Sequence, residues 1–427
     1  MALFQAPRGT SDILPGEQPY WRYVEEHATA TAQLYGFQRI DIPTFEETSL
    51  FVRSVGEVTD IVEKEMYSFE DKGGVSLTLR PEGTASVCRA YLQHGMGNWP
   101  QPVRLYYFAS IFRYDRPQAG RYREHHQFGY EVIGEEDPAV DAEVIDMAQH
   151  FYQRLGLTDL SLQLNSIGCP ECRKHYIAAL VAYYEPYGAQ LCRDCQGRLA
   201  RNPLRLLDCK VEQCQVYAAN APRMIDYLCG PCRKHFEKLQ DYLHLLDVPY
   251  ELNPRLVRGL DYYTRTVFEF QPADLGAQST IGGGGRYDGL IQQLGGKPTP
   301  GIGFATGMER IILNLKKLGV VVPANPRPVV YAAHLGDEAR DASLRLLAAL
   351  REAGISAITA VGGRSLKAQL RQANAFGVIF VLIMGEEELA KGEVTVRDLA
   401  RSEQWTVPVG DVVAKLGESL QSRIHMV

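Results

Sequence analysis

Apolar residues recur at helical spacing over residues 17–36, where Trp21, Val24, Ala28 and Leu34 fall near one face. Gly36 closes that helix, and a short strand is expected over 37–42, ending at Pro43. The period then changes. Val103, Leu105, Tyr107, Ala109 and Ile111 alternate with their neighbours, which predicts a strand over 103–114. Pro117 and Gly120 mark a turn in the polar stretch 115–121, and a second strand is expected over 124–133. Two long strands joined by a basic loop make an antiparallel hairpin. Ile145, Ala148, Tyr152 and Leu155 restore helical spacing over 141–155.

From 169 to about 246 the chain becomes rich in Cys and Tyr and reads as mostly helical, an insertion between two strand-bearing blocks. Strand signals return at 250–253 and 264–270. The glycine run 282–285, ahead of Arg286-Tyr287-Asp288, is expected to be a tight turn or a strand crossing, because glycine permits both. Residues 301–318 read as a glycine-led segment entering an apolar helix. A proline-rich linker, 322–328, separates this block from strand–helix–strand–helix–strand signals at 329–333, 338–353, 355–360, 365–376 and 378–384. The first block is thus expected to be α+β around an antiparallel sheet, and the second a small α/β domain with a partly parallel sheet.

Composition narrows this only slightly. A chain of 427 residues exceeds one ordinary core, so two or three domains are expected. Apolar content of 45% and charged content of 22% are those of a globular protein. A formal charge of −6 gives no overall attraction to nucleic acid, so any RNA contact must rest on local basic patches. Residues 1–12 lack a charged segment leading into an apolar one, so no secretory signal is expected. The apolar run 378–384 is far shorter than the roughly 20 residues that span a bilayer. The nine cysteines are therefore expected in a reducing, cytoplasmic setting, where metal binding or plain burial prevails over disulfides.

Candidate chemistry gathers around the hairpin. Gln127, Gly129 and Glu131 share one strand face, and Arg113 stands at the end of the other strand. Glu82 and Thr84 precede an apolar helix. An arginine with carboxylates in one pocket suits a zwitterionic partner that bears phosphate. The glycine run alone is weak as a phosphate loop, because it lies in no clear βαβ unit.

The segment Phe112-Arg113-Tyr114-Asp115-Arg116-Pro117-Gln118-Ala119-Gly120-Arg121-Tyr122-Arg123-Glu124 resembles motif 2 of class II aminoacyl-tRNA synthetases, in its histidyl form. Leu256-Val257-Arg258-Gly259-Leu260-Asp261-Tyr262-Tyr263-Thr264 resembles the signature peptide of histidyl-tRNA synthetases, and Gly301 to Arg310 resembles motif 3. Motif 1 would end at Pro43, and Pro7-Arg8-Gly9-Thr10-Ser11-Asp12 is similar to the family's start. The resemblance covers nearly the whole chain in order. It implies a class II catalytic domain over 1–325 with an antiparallel sheet, a mostly helical insertion over 169–246, and an α/β anticodon-binding domain over 328–427.

The same resemblance implies residue roles. Arg113 would meet the α-phosphate of ATP, Arg310 the γ-phosphate, and Arg258 would face Arg113 across the α-phosphate; a salt bridge from Arg258 to a carboxylate such as Asp261 is the structural alternative. Glu82, Thr84 and Gln127 resemble the binders of the histidine α-amino group, and Glu131 with Tyr263 the pair that reads the imidazole. Tyr262 matches the adjacent lining position. Arg121 would stand on the adenine side of ATP, while Arg116, Gln118 and Arg123 would touch the acceptor end of tRNA(His). Magnesium would accompany ATP. A homodimer is implied through motif 1, with no DNA or membrane partner. The rival reading is a synthetase-like subunit that only binds histidine and regulates its biosynthesis. Such relatives lose motif residues and the last domain, which this chain keeps.

The insertion carries Cys169-x-x-Cys172, Cys192-x-x-Cys195 and Cys229-x-x-Cys232, with Cys209 and Cys214 between. Paired CxxC spacing suits structural zinc, and these pairs could hold one or two ions. The family's usual insertion needs no metal, so buried free thiols are the alternative. The insertion itself is expected to meet the acceptor arm of the tRNA.

Overall fold

The computed structural model describes residues 3–56, 59–115, 121–272 and 280–424. The chain divides into two compact units, Met1–Pro323 and Ala324–Val427.

In the first unit α1 (Gln18–Leu34) leads into β1 (Gln38–Arg39). A small sheet follows from β2 (Phe45–Glu47), β3 (Tyr67–Glu70) and β4 (Ser76–Leu79), with α2 (Thr48–Val55) between its first two strands. Then come α3 (Thr84–Gln93), β5 (Val103–Phe112), β6 (Glu124–Ile133), α4 (Pro138–Arg154) and β7 (Leu160–Ser166). The insertion contributes α5 (Pro170–Tyr184), α6 (Arg193–Arg201), α7 (Glu212–Ala219) and α8 (Gly230–Leu245). β8 (Glu251–Leu252), β9 (Thr264–Pro272), β10 (Gly282–Arg286), α9 (Leu290–Gln293), β11 (Gly301–Gly307) and α10 (Met308–Lys317) complete the unit.

Eight strands form the main sheet in the order β1-β5-β6-β11-β10-β9-β7-β8. The six inner strands pair antiparallel, and a short parallel strand closes each edge. The alternation along β5 and β6 sorts side chains onto two faces. Tyr106, Phe128, Tyr130 and Phe304 pack with the apolar stripes of α1, α4 and α10. Leu105, Tyr107, Ala109 and Ile111 pack with α3 and with Tyr262, Tyr263 and Tyr287.

The glycine run is neither a turn nor a crossing: it is the central strand β10, buried along its length. The reason lies in its neighbours. A Cβ on Gly283 would stand 2.7 Å from the Phe268 carbonyl oxygen and 3.0 Å from Glu269 Cγ, so only glycine lets these strands lie this close to that side chain. The segment 301–307, read from sequence as the lead into a helix, is likewise a full strand.

A buried charge network ties the insertion to this sheet. Arg286 and Asp141, both fully buried, pair at 2.6 Å. Asp141 also accepts from Thr266 of β9 at 2.5 Å and meets His235 of α8 at 2.9 Å. Breaking such a pair strands a charge away from water, which makes it a strong constraint on how β10, α4 and α8 assemble.

The second unit is α/β: β12 (Val330–His334), α11 (Asp337–Glu352), β13 (Ala357–Thr359), α12 (Leu366–Phe376) and β14 (Phe380–Met384) build a parallel core. α13 (Glu386–Lys391), the hairpin β15 (Glu393–Asp398) and β16 (Glu403–Pro408), and α14 (Val412–Ile424) follow, and the hairpin extends the sheet antiparallel to order β13-β12-β14-β15-β16. No helix among the described residues is long and apolar enough to cross a membrane.

Candidate active site

One face of the main sheet opens into a cavity of about 320 Å³, within the usual range of small-molecule sites. Register explains its floor. Glu131 on β6 lies opposite Gly303 on β11, and Gly303 opposite Gly285 on β10. Two residues along, Gly129, Ala305, Gly283 and Glu269 form a second row across four strands. Small residues hollow the sheet, and long polar side chains then fill the rim.

One end of the cavity is made by α3. Glu82 precedes that helix and caps its free amides, accepting from the Thr84 N–H at 2.6 Å and the Ala85 N–H at 2.9 Å. Burial raises its pKa above the usual carboxylate range, against the lowering effect of those amides and of Arg113. Thr84 turns its hydroxyl away from the helix and donates to Glu131 at 2.7 Å. Glu131 is 1% exposed and lies just behind the lining. The Tyr287 hydroxyl donates to it at 2.8 Å and the Tyr107 hydroxyl at 3.3 Å. A Cβ on Gly303 would stand 1.7 Å from a Glu131 oxygen, so the carboxyl occupies the space that any other residue would need. Burial pushes the Glu131 pKa up to about 8, with Glu82 adding repulsion and the three hydroxyls opposing.

The other end is cationic. Arg113, Arg121, Arg258 and Arg310 all line the cavity. Arg113 follows β5, and its Nε donates to the Pro81 carbonyl at 2.8 Å. Arg258 pairs with Glu269 rather than with Asp261, whose carboxylate accepts from Asn202 at 3.2 Å. The Arg258 guanidinium also lies 5.6 Å from the centre of the Tyr263 ring. Burial disfavours its charge, but Tyr263 and Glu269 outweigh that and raise its pKa. Among the described residues its Nε is buried without a hydrogen-bond partner. Arg310 donates to the Thr280 carbonyl, and its pKa is lowered by burial and by its cationic neighbours Arg121 and Arg113. His125, beside Gln127, is pushed down to about 3 by burial and by Arg113 and Arg310, so its ring is neutral at physiological pH.

The cavity thus brings together Glu82, Thr84, Gln127, Tyr262, Tyr263, Arg113, Arg121, Arg258 and Arg310, with Glu131 behind Thr84. Arg123 is not among the lining residues: its guanidinium stacks 3.9 Å from the Tyr114 ring centre, and its backbone pairs with Gly9 and Arg113. Arg116 and Gln118 lie outside the described residues. Sequence reasoning missed Tyr107, Tyr287, Glu269 and His125. Tyr107 was legible only as an apolar strand position, and Tyr287 as a residue following a supposed turn. The insertion cysteines form two separate groups away from this cavity.

Known proteins place this geometry. The family described as histidyl-tRNA synthetase matches residues 9–171 and 211–311, and an anticodon binding domain matches 320–419. A histidine–tRNA ligase of Dehalococcoides mccartyi is 59% identical over 418 residues, covering 98% of this chain and 100% of its own. The apo histidyl-tRNA synthetase of S. aureus superposes with a TM-score of 0.81 at 39% identity, over 97% of this chain and 99% of that one. A Bacillus halodurans structure titled as an ATP phosphoribosyltransferase regulatory subunit/histidyl-tRNA synthetase shares the fold at 21% identity and a TM-score of 0.63, over 90% of this chain and 98% of that one.

The Glu131 shift has a measurable consequence. The folded chain holds this proton up to about pH 8, whereas an unfolded carboxyl releases it near 4.5. The resulting stabilisation is complete below about 4.5 and is gone once the pH passes about 8. The thermal midpoint of the ligand-free protein should therefore fall more steeply between those values than that of Glu131→Gln. Parallel curves for the two proteins would mean that Glu131 is already ionised in the folded state.

Proposed function

The chain belongs to the histidyl-tRNA synthetase family, and from that premise we propose how its cavity divides the work of joining histidine to tRNA. The reaction has two steps. The histidine carboxylate attacks the α-phosphorus of ATP, forming histidyl-adenylate and expelling pyrophosphate. The terminal ribose hydroxyl of tRNA(His) then attacks the activated carbonyl and releases AMP. The first nucleophile is already an anion, so positioning and charge stabilisation carry the catalysis.

The observation behind this assignment is that three arginines meet Glu82 and Thr84 in one cavity, with Glu131 hydrogen-bonded to Thr84 just behind its lining. Arg113 and Arg258 take the α-phosphate from two sides, and Arg310 the γ-phosphate. Guanidinium forks suit these roles because they stay charged and bind paired oxygens. Glu269 fixes the Arg258 fork at the cavity wall. Arg121 stands at the outer rim for the nucleotide. ATP would enter as its Mg²⁺ complex, the ion offsetting phosphate charge.

Glu82, Thr84 and Gln127 receive the α-ammonium, whose three donors match one carboxylate and two neutral acceptors. Glu131 and Tyr263 read the imidazole, with Tyr262 beside them. The neutral imidazole can take the proton that Glu131 holds, and the ionised carboxylate then offers about four acceptor positions. Thr84, Tyr287 and Tyr107 engage three of them at Glu131, so one further donor, a ring N–H, completes the set. An amino acid without that donor leaves a buried acceptor unpaired, which is the physical source of specificity.

Residues 1–325 are assigned to catalysis, 169–246 to the insertion that approaches the acceptor arm, and 328–427 to anticodon binding. Arg116, Gln118 and Arg123 are assigned to the acceptor end; the Arg123–Tyr114 stack would hold the loop's last arginine in place. The work is assigned to the cytoplasm. We place a second copy of the chain against the groove of about 1040 Å³ lined by Ile40, Ile42, Pro43, Leu50, Leu92 and Met96. The full-length retention of the arginines and of the last domain favours the ligase over a regulatory subunit.

Amino-acid-dependent exchange of pyrophosphate into ATP tests the activation step. Histidine alone should support exchange, and Arg258→Ala should reduce it by about 100-fold or more, the scale of losing one preorganised charge donor. Histidine binding without exchange would favour the regulatory reading. Sedimentation should show a dimer that Leu50→Asp weakens; an active wild-type monomer would remove the second copy from the account.

A further inference from the structure

Eight of the nine cysteines segregate into two clusters, and all eight lie in the insertion. Cys169 and Cys172 meet Cys229 and Cys232 across the base of the insertion. Cys192 and Cys195 meet Cys209 and Cys214 further out. Within each cluster all four sulfurs lie within 4.8 Å of one another. The sulfurs stand 3.5 Å apart for Cys169–Cys172, 4.0 Å for Cys169–Cys229 and 3.9 Å for Cys192–Cys209. A zinc–thiolate tetrahedron with bonds of about 2.3 Å has edges of about 3.8 Å. Disulfide sulfurs would lie about 2.0 Å apart. These separations are not those of disulfides, and they match the edges of such a tetrahedron.

The backbone is arranged for thiolates. Cys169, Cys192 and Cys229 are the N-cap residues of α5, α6 and α8, and Cys172, Cys195 and Cys232 sit in the first turns of the same helices. Cys214 occupies the equivalent first-turn position of α7. Seven of the eight sulfurs thus face the positive ends of helices, where a thiolate is favoured. Backbone amides add to this: the Cys229 N–H donates to Cys172 Sγ at 3.1 Å, and the Cys192 N–H to Cys214 Sγ at 3.3 Å. Such amides are the outer partners that tune thiolate ligands. Cys88, the ninth cysteine, lies in α3 apart from both groups.

We propose that the insertion carries two structural zinc ions, one held by Cys169, Cys172, Cys229 and Cys232, the other by Cys192, Cys195, Cys209 and Cys214. Four soft thiolates in a closed tetrahedron select Zn²⁺ among common divalent ions, and each ion displaces the thiol protons of its site. The two sites are nested in sequence, the outer one enclosed by the inner one's two pairs. Four of the eight ligands, Cys172, Cys192, Cys195 and Cys209, fall in residues 172–210, the stretch that the family match leaves out.

The two ions hold different things. The first closes the base of the insertion where it leaves the sheet. Arg173, next to Cys172, donates to the Tyr263 carbonyl at 2.5 Å, and α8 carries His235 to Asp141. That ion therefore fixes two links from the insertion, one to the residue that precedes β9 and one to α4. The second ion holds α6, whose Arg198 pairs with Asp60 at 3.1 Å, and Asn202 just beyond it reaches Asp261.

Metal analysis of the full chain, purified under reducing conditions without chelator, tests this. Two zinc ions per chain are expected. Cys172→Ser and Cys195→Ser should each lose one, the double variant both, and Cys88→Ala neither. Cobalt(II) added to the metal-stripped, reduced wild-type chain should bind two equivalents with the intense absorption of tetrahedral thiolate coordination, a readout that does not depend on how the variants fold. Absence of zinc together with no cobalt–thiolate absorption, or iron in its place, would overturn the proposal. A single equivalent of either metal would overturn the two-site assignment.

Discussion

Keeping one carboxyl group dry sets the terms for the rest of the cavity. Glu131 sits on a central strand, 1% exposed, and must be fully hydrogen-bonded to be tolerated there. Its partners come from three elements: Thr84 from the start of α3, Tyr107 from β5 and Tyr287 from the end of β10. Each is fixed in turn. Thr84 is placed by the cap that Glu82 provides to α3. The Tyr107 ring lies where a Cβ on either Gly83 or Gly129 would stand 2.5 Å away. Tyr287 follows Arg286, which is locked to Asp141. Gly303 leaves the space in which the carboxyl itself lies. The glycines are thus the negative of the polar side chains.

The arginine end obeys a complementary rule. Four guanidinium groups crowd one cavity in a chain whose formal charge is −6. Burial, and after it repulsion from Arg121 and Arg113, lowers the pKa of Arg310. Glu269 offsets that repulsion at Arg258, and the remaining attraction is available to phosphate. His125 stays neutral in this field, which avoids adding a further cation beside Gln127. Local charge, not the average, prepares the site for a nucleotide.

Much of this was legible before any coordinates. The two strands of the hairpin, the shared face of Gln127 and Glu131, and the helix after Thr84 follow from period and cap signals, and the motif residues carried the family. Other parts were hidden for physical reasons. A run of four glycines has no side-chain period, so its role as a central strand is set by partners far away in sequence. The small sheet over 45–79 is mostly exposed, so burial imposes no clean alternation on it. Tyr107 and Tyr287 look like core residues from their neighbours, and only the fold turns their hydroxyls onto a carboxyl. The partner of Arg258 is Glu269, eleven residues on, because the peptide bends back along β9, whereas sequence proximity pointed to Asp261. The cysteine pairs were legible as pairs, but their sorting into two sets of four required the helices to be placed.

The central claim is that Glu131 reads the imidazole while the arginines serve the nucleotide. Calorimetric titration of histidine and of ATP into the wild-type protein and Glu131→Gln tests it most directly. The substitution should weaken histidine binding by about tenfold or more, the scale of one lost buried partner at about 1–3 kcal/mol, and leave ATP binding unchanged. Equal affinity of both proteins for histidine would contradict the account.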